Sequence, residues 1–394
     1  MSKCNYCDFN SVASPHLFLK TPNSAPLKAF FGKSRTHSED EYIDALTLEL
    51  RSLLNNQEEL KTREVTSIYF GGGTPSMLLP GSIAKIIYEI EDTFEMKNKE
   101  VEVTLEANPE TIDTERLSAF KRSGINRLSI GVQSFDDSVL KILGRQHSAK
   151  RGADSILQAR EVGFTNIGLD LIFAVPEQSL NSWASSIEQA IELNTEHISI
   201  YGLTIEEGTP FFSTLSEDSG FKLPSEESEV LMYQTAIKAL KKAGFNHDEI
   251  SNMSKTGFES KHNLRYWRGG DYIGLGSGAH SYLSSNPDGE KSKVWGRRWQ
   301  NEADIKKYIE LAKASNPLRQ KVEDLNYDDA LAEALMLGLR LPDGIDVRAF
   351  SKRFGITPEL ALTSKAHAKH GLTHTKDGFF SLTDKGILFS NEVF

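Results

Sequence analysis

Residues 65–76 read VTSIYFGGGTPS. Six residues rich in β-branched and aromatic side chains run directly into three glycines. A short apolar run ended by glycine reads as a strand buried on both faces. The same signature returns at 101–106 (VEVTLE), 127–132 (RLSIGV), 166–172 (NIGLDLI) and 197–201 (HISIY). Helical periodicity fills the intervals at 39–56, 83–94, 114–123, 149–162, 180–193 and 225–243. In the first of these, Tyr42, Ile43, Leu46, Leu50, Leu53 and Leu54 recur at helical spacing behind an acidic start. Gly124, Gly163 and Gly244 stand just past three of the helices, where a left-handed cap belongs. Strands alternating with helices require a parallel sheet or barrel, with its site at the C-terminal ends of the strands.

The rhythm changes after about residue 245. Residues 245–299 are rich in Gly, Asn and aromatics, and helical patterns return at 302–314 and 327–340. The tail carries a helical stretch near 358–369. It then carries a short strand, Phe379-Phe380-Ser381-Leu382, with Thr383-x-x-Gly386 opening a last helix. That layout suits a small winged-helix-like terminal unit. Residues 14–38, with Pro15, Pro22 and Pro26, read as a long loop.

Composition removes several classes of function. Of 394 residues, 39% are apolar and 25% charged, which excludes general disorder. Lys and Arg number 45 against 55 Asp and Glu, a net charge of −10 with no basic block. That balance argues against a nucleic-acid partner bound by phosphate neutralisation. No apolar run approaches the ~18 residues of a membrane span. The start, MSKCNYCDFN, lacks a signal-peptide layout, and two cysteines cannot build a disulfide framework. The expected location is the cytoplasm.

Four features carry candidate chemistry. Cys4 and Cys7 form a CxxC, which alone fits a redox pair, half a zinc site, part of an iron–sulfur site, or two incidental thiols. Gly71-Gly72-Gly73-Thr74 offers bare backbone to a ligand and is neither a Walker loop nor GxGxxG. Three glycines exceed what a tight turn needs, so ligand contact is the better reading. Glu106, Gln133 and Asp170 fall at or just past three successive strand ends, and Arg145 follows in LGRQH. In a barrel such residues point into one shared site. Finally, His262-Asn263-x-x-Tyr266-Trp267 precedes Gly274-x-Gly276-x-Gly278-x-His280. From residues alone, His262 reads as a core histidine among structural aromatics in a β segment. His37, His147, His197 and His247 receive no assignment.

Taken together, KCNYCDFNS, YFGGGTPS, LEANP, RLSIGVQSF, LGRQH, GLDLIFAVPEQ, YGLTIEEGTP, KHNLRYWRGGDYIGLGSGAHSY and LTDKG resemble the radical S-adenosylmethionine (SAM) superfamily. The resemblance runs in family order over nearly the whole chain. It is closest to the branch holding oxygen-independent coproporphyrinogen III oxidases and HemW-type haem chaperones. It implies an α/β fold: a partial (β/α)6 barrel over residues 1–244 and a smaller α+β C-terminal region over 245–394. It implies a 4Fe–4S cluster on a CxxxCxxC motif, with Cys4 and Cys7 as its second and third ligands. Gly72, Gly73, Thr74, Glu106, Gln133, Arg145 and Asp170 would contact SAM.

Asp8-Phe9-Asn10-Ser11 after Cys7, in place of Gly-Cys, resembles the chaperone group. The HNxxYW stretch does too, and it reverses the reading of His262, which becomes the haem ligand with Tyr266 and Trp267 as apolar walls. The implied function is a haem chaperone that passes haem to acceptors such as respiratory haem proteins. The alternative is radical decarboxylation of coproporphyrinogen III. The motif spacing puts the first cluster cysteine one position before Met1, and the family's first strand is not visible. The expectation is therefore a chain that starts inside the first βα unit, with Met1 an internal methionine, poor cluster loading and lowered stability.

Overall fold

The computed structural model describes residues 4–7, 39–94, 100–214, 222–285, 294–316, 318–362 and 371–393. The loop expected at 14–38 lies outside the described residues, as does the end of the helical stretch expected near 358–369.

The central sheet has seven strands: β1 (Ser67–Phe70), β2 (Glu102–Ala107), β3 (Arg127–Gln133), β4 (Ile167–Phe173), β5 (His197–Gly202), β6 (Asn246–Glu249) and β7 (Asn252–Ser254). Its order is β1-β2-β3-β4-β5-β7-β6, curled into a half barrel. The first five strands are parallel, and β7 and β6 close the row antiparallel. The helices are α1 (Glu39–Asn56), α2 (Pro80–Thr93), α3 (Thr114–Arg122), α4 (Asp137–Ile142), α5 (Ala149–Glu161), α6 (Leu180–Glu192), α7 (Pro210–Thr214), α8 (Glu226–Lys242) and α9 (Lys261–Trp267). The expected α/β partial barrel is therefore present, each of the five parallel strands lying within two residues of its expected bounds. The hairpin β6–β7 is an addition. Its first strand, NHDE, carries polar groups and lacks apolar alternation, so it gives no strand signal.

Helix ends follow local chemistry. Asp113, Ser148, Ser179 and Ser225 each accept a backbone N–H one turn into their helix. Gly124, Gly163 and Gly244 take φ of +104°, +87° and +88°, as the caps require. Leu105, Leu128, Ile130, Leu169 and Ile198 are wholly buried between sheet and helices. Truncating one such leucine to alanine costs about 2–5 kcal/mol.

A second core gathers Trp295, Leu335, Phe350, Phe354, Phe380 and Leu382 around the antiparallel sheet Ile345–Asp346, Phe379–Leu382 and Thr373–Lys376. Residues 274–280 are tied to α1 from below. The buried Glu49 carboxylate accepts the Gly276 N–H (2.9 Å) and the Tyr308 hydroxyl (2.6 Å). Gly276 has φ +107°, and a Cβ there would meet the Tyr42 hydroxyl at 2.7 Å. The glycine pattern of this segment thus serves close packing.

Candidate functional site

Strand β1 delivers the chain to Gly71–Gly73, all three exposed at the mouth of the half barrel. Gly72 takes φ +109°, a region that side chains disfavour, and has open space about it. Its N–H donates to Glu106 Oε2 at 3.3 Å, and the Tyr69 hydroxyl donates to Glu106 Oε1 at 2.7 Å. A Cβ at Gly71 would press on both Tyr69 and Glu106, the latter at 3.1 Å. On β4, Asp170 accepts the Ser129 hydroxyl at 3.2 Å. Burial raises the Glu106 pKa to about 7, and the neighbouring Asp170 adds to the rise. Asp170 is raised by burial as well, with Arg127 and Arg145 opposing. Glu106 at the open glycine loop, with Asp170 within its electrostatic reach, offers acceptors to an ammonium or to hydroxyl donors.

The second half of the site forms on β3 and the LGRQH loop. Gln133 closes β3 with φ +67°, beside a break in register with β4. A strained residue at a bulge is a common companion of binding sites. The bare Cα of Gly131 makes room here. A Cβ would lie 2.8 Å from Gln133 Nε2 and 3.6 Å from Arg145 Nη2. Arg145 Nη2 donates to Gly131 O at 2.8 Å, and Nη1 lies 3.5 Å from Cys4 Sγ. Its buried Nε has no partner among the described residues.

The Cys4–Cys7 turn is pinned from outside. Asn5 Nδ2 donates to Ile142 O at 2.9 Å, Asn5 N to Leu143 O, and Asn5 O accepts from Phe211 N. Gly144 lets Asn5 in, since a Cβ there would touch its amide at 3.0 Å. Both thiols are half-buried. Thr74 leads into the short turn Pro75–Met77, where its carbonyl accepts the Met77 N–H.

The HNxxYW stretch forms a helix where a β segment stood as the alternative. Ser260 caps α9 by accepting the Asn263 N–H, and Gly269 at φ +60° ends it. The His262 ring stacks on Tyr69 at 4.2 Å between centroids and 13° between planes. Tyr266 meets it edge-on at 4.9 Å. Burial, with Arg127 nearby, presses the His262 pKa down to about 4. The imidazole is therefore neutral, and neither ring nitrogen hydrogen-bonds to a described residue. Trp267 turns to the other flank, under the Arg340 guanidinium at 4.5 Å.

Two residues in the site escaped the motif reading. Glu102, at the start of β2, accepts the N–H groups of Lys261 (3.1 Å) and His262 (3.2 Å), and so holds the first turn of α9. Its signal was a second carboxylate on the same strand face as Glu106, the pair lying two residues either side of Thr104. Tyr69 joins His262 to Glu106, yet in SIYF it reads as an ordinary strand former.

The structure thus brings Gly72, Glu106 and Asp170 into one group and Gln133, Arg145 and Cys4 into another, with Asp170 within electrostatic reach of Arg145. His262 and Tyr266 stand behind Tyr69. The acceptors and the unpaired Arg145 donor fit a ligand bearing both ammonium and carboxylate groups. Cys4 and Cys7 supply two thiolates, and among the described residues no group of three His, Cys, Asp or Glu side chains is arranged to hold a metal ion.

Comparison with known proteins gives the family and supports the fold. The radical SAM superfamily signature matches residues 1–190, and the HemN C-terminal domain signature matches 325–389. Heme chaperone HemW of Bacillus subtilis is 35% identical over 99% of this chain and 94% of its own length. HemW of Escherichia coli is 32% identical, covering 100% of this chain and 94% of its own. A mitochondrial radical S-adenosyl methionine domain-containing protein 1 of Danio rerio is 31% identical, covering 100% of this chain and 82% of its own. The solved coproporphyrinogen III oxidase HemN of Escherichia coli superposes with TM-score 0.77 over 100% of this chain and 86% of that one, at 21% identity, a likeness of fold. At 32–35% identity to HemW haem chaperones over essentially its full length, on a half barrel shared with HemN, the chain belongs to the radical SAM superfamily, in the family of the HemW haem chaperones.

Proposed function

We propose that this chain carries haem as cargo on α9 and passes it to a haem-dependent acceptor protein in the cytoplasm. Residues 1–244 would act as the cofactor-holding barrel and 245–394 as the region that bears the cargo. The observation that carries the reading is the His262 imidazole. It is held neutral by burial, so no proton competes for its lone pair. Its ring is fixed by Tyr69 and Tyr266 while its nitrogens stay free of described partners. No residue of α9 is fully buried, so a macrocycle ligated there stays within reach of an acceptor.

The same reading gives the strand ends to a 4Fe–4S cluster and SAM in an enabling role. When bound, the cluster supplies one-electron reduction. Cys4 and Cys7 would supply thiolates to it. Arg145 would take the SAM carboxylate, Glu106 and Asp170 its ammonium or ribose hydroxyls, and Gly72, Gly73 and Thr74 its methionine end. Gln133 would hold its place in this wall through its constrained backbone. Trp267, packed against Arg340, would wall the cargo segment on the side away from His262.

The test is titration of the purified chain with haem, followed by mixing with an apo-cytochrome. The expected result is stoichiometric binding, lost or spectrally altered in His262→Ala, and transfer to the acceptor. Sustained conversion of coproporphyrinogen III by the same anaerobic sample would replace this reading with the oxidase one.

A further inference from the structure

The two ligand sites of the proposed function share a single side chain. Tyr69 on β1 pairs with Thr104 on β2, and Glu102 and Glu106 flank Thr104 on the same face of that strand. Glu102 grips the N-terminus of α9. Glu106 faces the glycine loop. Between them stands Tyr69, with its ring against His262 and its hydroxyl on Glu106. The path from the imidazole to the carboxylate is one phenol long.

We propose that Tyr69 is a positioning residue that couples the two sites, so that whatever occupies or alters Glu106 changes how His262 holds haem. The inference rests on the reading that haem binds at His262. Its physical basis is geometric. A ring stacked at 4.2 Å cannot shift without moving its neighbour, and among the described residues its hydroxyl is anchored at one point, Glu106 Oε1. Removing that anchor frees the ring to slide, and the imidazole loses the fixed wall that orients it. Coupling of this kind needs no wire across the protein, because a single shared group is enough.

A double-mutant cycle on the full chain, with haem as the probe, tests the proposal. Glu106→Ala does not touch the haem segment, yet it should weaken haem binding by about three- to tenfold and shift the Soret band. Tyr69→Phe keeps the stack and should reproduce that effect. The pair together should do no more than either alone. A purely structural role for Tyr69 would leave the Soret position in place. Circular dichroism and the thermal midpoint check folding. If Glu106→Ala is unfolded, Glu106→Leu, which fills the space without an acceptor, takes its place in the same cycle. Wild-type affinity and spectrum in both single variants, or effects that multiply in the pair, would overturn the coupling. Haem binding by His262→Ala that matches wild type would instead remove the parent reading, so the two failures are distinguishable.

Discussion

Replacing Glu102 by alanine should damage the protein out of proportion to its place at a strand start. The carboxylate is buried and accepts two backbone N–H groups at 3.1 and 3.2 Å, both from the first turn of α9. Hydrogen bonds to a charged group contribute about 1.5–3 kcal/mol each. The carboxylate is also the counter-charge of Arg127, whose Nε lies 4.0 Å away with its side chain 2% exposed. That contact is a charge pair without a hydrogen bond. Even so, stripping a buried guanidinium of its partner costs about 3–5 kcal/mol. These terms overlap and do not sum, so the expected loss is about 3–5 kcal/mol. A domain's total stability is about 5–15 kcal/mol, so the variant should stay folded at low temperature. Urea unfolding measures the loss, and haem titration of the same sample should show weakened binding with His262 still present. Adding Arg127→Met should restore part of the stability by removing the stranded charge. A midpoint within about 1 kcal/mol of wild type would refute the anchoring role of Glu102.

Three further outcomes follow from the strand ends. Burial raises the Glu106 pKa from 4.5 to about 7, so the folded state holds a proton that the unfolded state releases, and its contribution falls as pH rises from 4.5 through 7. Glu106→Gln should match wild type near pH 4.5 and gain on it toward pH 8 by up to ~3 kcal/mol in urea unfolding; a constant difference would contradict the buried-carboxyl assignment. Arg145→Ala should lower SAM affinity roughly 10- to 150-fold in calorimetric titration while costing about 1 kcal/mol of stability through the lost bond to Gly131 O, and unchanged SAM binding would defeat the assignment. Gly72→Ala, at φ +109°, should cost about 1–3 kcal/mol in thermal or urea unfolding despite open space around it, and a neutral result would mean the loop relaxes freely.

The barrel was legible because its strands are buried on both faces and so appear as apolar runs stopped by glycine. The caps at Gly124, Gly163 and Gly244 were legible because glycine takes that left-handed backbone at least cost. Grouping was harder to read. Glu106, Gln133, Arg145 and Asp170 were marked by strand ends, but which of them meet depends on side-chain reach, and the structure sorts them around Gly72 and around Cys4. Strand β6 stayed hidden because its four residues, Asn-His-Asp-Glu, are all polar and show no apolar alternation. Helix α9 stayed hidden because seven residues hold too few turns for periodicity, although Ser260 before it and Gly269 after it were usable signals. Tyr69 and Glu102 lie some 160 to 190 residues from the segment they hold. No local pattern connects a strand tyrosine to a distant histidine, and only the packing of α9 on β1 does so.

The central claim is that His262 presents an imidazole to haem. The most direct measurement is an optical haem titration of the full chain beside His262→Ala, with thermal unfolding to confirm that both are folded. Loss of affinity and a changed Soret band in a folded His262→Ala would support the account. The same affinity and the same spectrum in both proteins would contradict it.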